Sequence, residues 1–439
     1  MRERERLQGW ALAGIAVVAL AWRVVYVLVW RHDPLVFADG LFFHLQANNL
    51  ADGFGFVEPI KHAYLFELRQ SAAHPPLFSL VLFAVTRTGR ALGLGSFDST
   101  LVHQLTCTVV STLAVVVIGL VGHRMAGARV GLIAAAVAAA YPPLWTSDAL
   151  VMSESLFVLT IALVLLAYYR FQENPTWRNA VACGLAIGAA ALTRGEAAML
   201  IPILGIPYVL GRSMRPRWQR VRALGLVVLV SATVCMPWVV RNLRTFHRTV
   251  LLSENFDTVV GGSNCESTYF GDRIGSWDIK CHGLPAREGD ESDIGAALRH
   301  KGLQYAQQHQ TRVPLVVAAR VGRTFLIFQP LADRTESGRP AWTQWAIVLA
   351  YFPVQVIAIA GLIVLRRRRF PIWPLVAMAV LVAVTSVIAY GNPRFRVPWD
   401  VASVVAVAVG VDHLFARGAS RRDAAAGPSP TASCLRTGA

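Results

Sequence analysis

Apolar stretches of membrane-spanning length recur from one end of this chain to the other, and no other feature constrains its fold as strongly. A helix needs about 20 largely apolar residues to cross the hydrocarbon core, where every backbone polar group must be bonded internally. Such stretches occur near residues 9–30, 99–121, 130–146, 153–169, 179–193, 197–211, 223–240, 342–365, 371–390 and 398–415. The sequence therefore predicts an all-α polytopic membrane protein of about ten transmembrane helices. Composition agrees, since 55% hydrophobic and 15% charged residues with a mean hydropathy of +0.47 lie outside the usual soluble range. The first stretch is too long for a secretory signal and lacks a small-residue cleavage pattern, so it reads as an anchor.

The arginines set the orientation. With a cytoplasmic start, the inside segments hold Arg2, Arg4 and Arg6, then Arg124 and Arg129, then Arg212, Arg215, Arg217, Arg220 and Arg222, and last Arg366 to Arg369. Acidic residues are scarce among them, which is the positive-inside pattern. The net charge of +16 and the pI of 10.3 are then topological. Charges confined to short hairpins argue against nucleic acid as a partner.

Four parts follow: an N-terminal membrane module, 1–240, with a first outer loop at 31–97; a second outer loop at 241–341; C-terminal helices at 342–415; and a tail at 416–439. The tail is low in hydrophobicity and reads as disordered and cytoplasmic. Each outer loop holds a short apolar stretch, Pro75 to Val85 and Val313 to Leu331, the latter broken by Arg320 and Arg323. Both are expected as interfacial helices. Cys107, Cys183 and Cys235 lie within spans as small apolar fillers, and Cys434 is in the tail. Cys265 and Cys281 share the second outer loop, where an oxidising compartment favours a disulfide. Free thiols, or a metal pair with His282, are the alternatives.

Polar residues collect at one depth, the outer membrane interface. They are Asp39 beyond the first span, His74-Pro75-Pro76-Leu77, Ser153-Glu154, Leu192-Thr193-Arg194-Gly195-Glu196, Pro237-Trp238-Val239-Val240-Arg241-Asn242, and Asn392-Pro393-Arg394-Phe395-Arg396-Val397-Pro398. Ionisable groups at that depth are costly unless paired and tend to mark function. Singly, each has a plainer reading: arginines snorkel, Glu196 pairs with Arg194, and Asp39 caps a helix beginning at Gly40 or Leu41.

In this order, with Ala51-Asp52-Gly53-Phe54-Gly55-Phe56 after Asp39, the motifs resemble the polyprenyl-phosphate-dependent glycosyltransferases of the GT-C superfamily. The branch is that of protein O-mannosyltransferases and the lipid A aminoarabinose transferase, family 39-like. The resemblance runs from the first span to the last hairpin. Two departures stand out. Asp39 is followed by Gly40 where the family often has a second acid, and the Cys265–Cys281 insertion is not general.

The resemblance implies a GT-C-like bundle and transfer of a sugar from a polyprenyl-phosphate donor to an acceptor hydroxyl, with inversion, outside the cytoplasm. Phosphate is already a good leaving group, so one carboxylate suffices, and Asp39 takes the general-base role. Arginine forks suit the phosphate: Arg394 and Arg396 first, then Arg241 and Arg194. His74, Glu154, Glu196 and Asn242 are pocket candidates. No cofactor is certain, but some relatives place a divalent metal here, for which His74 and Glu154 are candidate ligands. The expected partners are the lipid-linked donor, a lipid, glycan or protein acceptor, and membrane lipids. Only three lysines (Lys61, Lys280 and Lys301) against abundant arginine and alanine point to GC-rich coding and a bacterial plasma membrane. The competing class is a transporter or lipid flippase, which usually carries internal repeats and polar residues near the midplane. Neither is evident in the sequence.

Overall fold

The computed structural model describes residues 2–30, 39–93, 99–211, 214–283, 289–332 and 341–425. Seventeen α-helices account for most of them. The N-terminal half holds α1 (Arg2–Trp30), α2 (Asp39–Ala51), α3 (Pro59–Leu65), α4 (Leu77–Ala91), α5 (Thr100–Ala126), α6 (Ala128–Ala140), α7 (Glu154–Glu173), α8 (Trp177–Thr193), α9 (Leu200–Leu210) and α10 (Arg217–Thr245). The remainder holds α11 (Asn255–Gly262), α12 (Glu266–Tyr269), α13 (Glu291–Gln308), α14 (Val313–Thr324), α15 (Ala341–Arg367), α16 (Trp373–Ile388) and α17 (Val397–Ala425). The described residues contain a single isolated β-bridge, between Val57 and Gln70.

Every apolar stretch picked out in the sequence coincides with a helix, but the count of ten spans does not carry over. Among the described residues six helices are long and apolar enough to cross a membrane: α1, α5, α7, α10, α15 and the stretch from Pro393 through α17. A seventh span results if α6 and the short turns after it count as one, because the chain bends there by 77°. Pro142 and Pro143, directly after α6, remove backbone donors where the helix would continue. α9 and α16 are apolar but short, and α8 ends after 17 residues. The chain is a multi-pass membrane protein. α17 runs on to Ala425, into the segment expected as a disordered tail; residues 426–439, with Cys434, lie outside the described residues, as does Arg212.

Packing follows the rules of a bundle in lipid, where close backbone approach replaces the hydrophobic drive. α17 is buried on all sides from Val401 to Val409. A Cβ on Gly361 of α15 would lie 1.9 Å from the Ala406 carbonyl oxygen, so these two helices touch backbone to backbone. α8 meets α10 closely too, where a Cβ on Gly184 would lie 2.8 Å from the Val227 carbonyl oxygen.

One of the buried charge pairs anchors α1. Arg23, fully buried on α1, lies 3.3 Å from an oxygen of Asp148. Ser111 and Ser155 donate to the two Asp148 oxygens at 2.6 and 2.8 Å. A lone arginine inside an otherwise apolar span demands such a partner.

The two long segments between spans carry α2–α4 and α11–α14. The apolar stretches expected as interfacial helices form α4 and α14. α4 turns Phe78, Leu82 and Thr86 inward, a helical stride that leaves its other face open. Cys265 and Cys281 are joined as a disulfide.

Candidate active site

Four breaks in helical structure bring the charged motifs together. Asp39 opens α2 and Glu154 opens α7. Arg194 occupies the extended residue between α8 and the turn leading into α9. Arg394 lies in a tight turn before α17, where the Asn392 side chain accepts from its backbone N–H. Arg394 donates through Nη2 to Asp39 Oδ2 at 2.8 Å and through Nε to Glu154 Oε1 at 2.6 Å. Arg194 reaches the same Glu154 oxygen at 3.1 Å and Glu196 at 2.6 Å. Acids and guanidiniums thus alternate: Asp39, Arg394, Glu154, Arg194, Glu196. Phe157 and Phe395 flank the Arg194 guanidinium at 5.6 and 5.5 Å.

His74 completes the group, its Nε2 lying 3.9 Å from Asp39 Oδ1. Its ring packs against Phe42 and Phe43. Burial raises the Asp39 pKa, but Arg394, then His74 and Arg194, overcome this and hold the carboxyl well below the usual carboxylate range. Burial lowers the His74 pKa, and the attraction of Asp39 only partly offsets it, so His74 is neutral at pH 7.

Asp39, His74 and Arg394 stand between two cavities and line both. One, of about 720 Å³, continues past Arg194 and Glu196 to Glu254, Asp257 and Arg299. The other, of about 620 Å³, is walled by Trp277, Ile279 and Ile347. Each is large enough for a ligand of several rings.

The remaining candidates are placed differently. Arg241 donates to the carbonyls of Ser71 and Phe56 and to Gln70, and lies over the rings of Phe56, Trp238 and Phe246. Asn242 is buried and donates to the Leu251 carbonyl. Neither lines a cavity with Asp39. Arg396 is buried against Asp400, four residues on, with its guanidinium 4.0 Å from the Tyr351 ring centroid. Glu254, Asn255 and Arg299, in the long segment between α10 and α15, escaped the sequence reading, because polar residues in a long polar loop have no membrane depth to mark them.

For a metal, one group of three ligand atoms converges among the described residues: His247, Asp290 and Asp293. It is a possible His/Asp site, though Asp290 and Asp293 also cap α13 and Arg248 pairs with Asp293. At the candidate active site, Glu154 Oε2 is buried with no hydrogen-bond partner.

Residues 73–240, which carry His74, Glu154 and Arg194, match the profile of the dolichyl-phosphate-mannose-protein mannosyltransferases. Over that segment the chain is similar to this family. Among curated proteins none matches the sequence. In fold the whole chain is similar to the oligosaccharyltransferase AglB from Archaeoglobus fulgidus in complex with an inhibitory peptide and a dolichol-phosphate. The TM-score is 0.57 at 15% identity, covering 97% of this chain and 52% of that one. The same archaeal enzyme in complex with Zn and sulfate gives a TM-score of 0.51 at 15% identity, with 95% and 50% covered. ArnT from Cupriavidus metallidurans bound to undecaprenyl phosphate gives 0.45 at 17% identity, with 96% and 81% covered. The chain thus spans about half the length of the archaeal enzyme, and the likeness to it is one of fold.

Proposed function

We propose that this chain is a membrane glycosyltransferase that moves a sugar from a polyprenyl-phosphate carrier to an acceptor hydroxyl, with inversion, on the extracytoplasmic face of a bacterial plasma membrane. The observation that carries this reading is the position of Asp39, between two cavities and in contact with an arginine that lines both. Inversion needs the acceptor and the departing phosphate on opposite faces of the anomeric carbon, and two spaces meeting at one carboxylate suit that requirement. Asp39 takes the acceptor proton as the new C–O bond forms. The anomeric C–O bond to phosphate breaks, and its electron pair leaves with the polyprenyl phosphate. Arg394 and Arg194 are placed to pair with that anion through planar forks.

Charge balance bears on the cofactor. Asp39, Glu154 and Glu196 carry three negative charges against two on Arg194 and Arg394, with His74 neutral, so one negative charge is left over. An anionic donor is poorly matched to such a site unless an ion pair opens or a cation joins it. A divalent ion would be held by His74 and by Glu154, whose second oxygen lacks a partner. It would supply positive charge for the phosphate.

The test is sugar transfer from a labelled polyprenyl-phospho-sugar by the full chain in proteoliposomes. Asp39→Asn is expected to lower the rate by about 10²- to 10⁴-fold while donor binding persists. Full activity in that variant removes Asp39 from the mechanism. Movement of the carrier lipid across the bilayer with no new glycosidic product would replace the transferase with a flippase.

A further inference from the structure

The three residues before His74 are held at every main-chain polar group. The Ser71 N–H donates to the Phe56 carbonyl at 2.9 Å, and the Ser71 carbonyl accepts from Arg241 at 2.9 Å. The Ala72 N–H donates to Glu291 Oε2 at 2.6 Å, and the Ala72 carbonyl accepts from the Glu254 N–H at 2.9 Å. The Ala73 N–H turns back to Ser71 Oγ at 3.2 Å, and the Ala73 carbonyl accepts from Ser253 Oγ at 2.5 Å. Every main-chain polar group of residues 71–73 therefore has a partner. Three of those partners, Ser253, Glu254 and Glu291, belong to the second outer segment.

Glu291 differs from the others, because it grips this strap twice through a side chain. Its Oε1 accepts from Ser71 Oγ at 3.0 Å while its Oε2 takes the Ala72 N–H. It is also the first residue of α13, so its backbone is fixed by the cap that Asp290 provides. The next side chain along the strap is His74, beside Asp39.

We propose that Glu291 is a positioning residue that sets the place of His74 at the candidate active site by holding Ser71 and Ala72. A carboxylate can take both donors at once, whereas an aliphatic side chain leaves the buried Ala72 N–H unpaired, at a cost the strap relieves by moving. Through the same contact, a ligand seated against α11 and α13 in the larger cavity is mechanically linked to His74. That linkage rests on the transferase reading only for what His74 does in the reaction; the placement of His74 does not.

The test is carbethoxylation of His74 by diethyl pyrocarbonate in the full chain in detergent, followed by mass spectrometry, with exposed His123 as the internal reference. Glu291→Ala is expected to raise the His74 rate several-fold relative to His123. Glu291→Gln, which keeps one acceptor oxygen for Ala72, should return most of the way to wild type. Should Glu291→Ala not fold, Ser71→Ala removes one of the two contacts and is expected to produce a smaller rise. An unchanged His74 rate in the folded variants overturns the proposal. In the transfer assay, Glu291→Ala should lower kcat with rescue by Glu291→Gln. An inactive wild type would count against the transferase reading alone, since the labelling result stands without turnover.

Discussion

Arg394 and Asp39 are joined at 2.8 Å across almost the whole length of the chain, the turn before the last helix to the start of the second. On the proposed mechanism the pair would hold the base in place while engaging an Arg394 nitrogen that a donor phosphate would also need. If a donor phosphate pairs with Arg394 as proposed, it would compete with Asp39, and one side chain would couple donor binding to release of the base.

Removing that side chain should show in the pH profile. Arg394 is the largest influence holding the Asp39 pKa below the ordinary range, against a burial effect that pushes it up. In Arg394→Gln burial is left less opposed, and the Asp39 pKa rises. The acidic limb of kcat/KM should then move to higher pH, on top of a loss of about 10²- to 10³-fold from removing a charge-stabilising donor. Rate measurements from pH 4 to 8 decide it: a profile of unchanged shape, merely scaled down, would mean that Asp39 is not the group titrating.

Glu254 should make the segment that carries α11–α14 less stable as pH rises. Burial, then the neighbouring Glu291, Asp257 and Asp290, push its carboxyl up to about 10, and Glu291 is itself raised to about 7 by burial. A carboxyl raised on folding contributes stability fully below its unfolded value, near 4.3, and loses it as pH climbs through the folded value. Between pH 5 and 9 stability therefore falls. Glu254→Gln cannot titrate, so its melting temperature should match wild type near pH 4.5, exceed it at pH 8, and slope less between. Parallel curves for the two proteins would sink the argument.

Arg23→Met probes the buried pair. Removing one partner of such a pair leaves an unpaired buried charge and costs about 3–5 kcal/mol. The double variant with Asp148→Asn removes both charges and should recover a large part of the loss. Thermal unfolding in detergent measures both, and a single variant as stable as wild type would show that Asp148 finds another partner.

These residues also mark how far the sequence could be read. The apolar stretches were legible because lipid imposes one answer on the backbone, and each became a helix. Their number was not, since Pro142 and Pro143 bend one of them and α9 and α16 stop short. Asp39, Glu154, Arg194 and Arg394 stood out as charges beside apolar runs, and the fold gathers all four. Arg241 and Arg396 stood out for the same reason, but Arg241 is bound up with the strap, and Arg396 is paired with Asp400 where both line the smaller cavity. Arginine beside a span announces only that it needs a partner. Which partner depends on contacts such as Arg241 to Ser71, between residues distant in sequence, and nothing local encodes those. Glu291 was invisible because it looks like an ordinary first-turn acid of a helix.

The disulfide offers a prediction that links stability to one cavity. Closing the loop from Cys265 to Cys281 contributes about 3 kcal/mol in the chain-entropy account. Trp277 and Ile279, which line the smaller cavity, lie inside that loop. The double variant Cys265→Ser and Cys281→Ser should melt lower than wild type, and reductant should lower the wild type alone. If the smaller cavity holds a substrate, KM for that substrate should rise in the variant while the other substrate's KM stays put. Steady-state kinetics with each substrate varied in turn separates the two. A rise in both constants, or in neither, would mean that the closed loop does not shape this cavity.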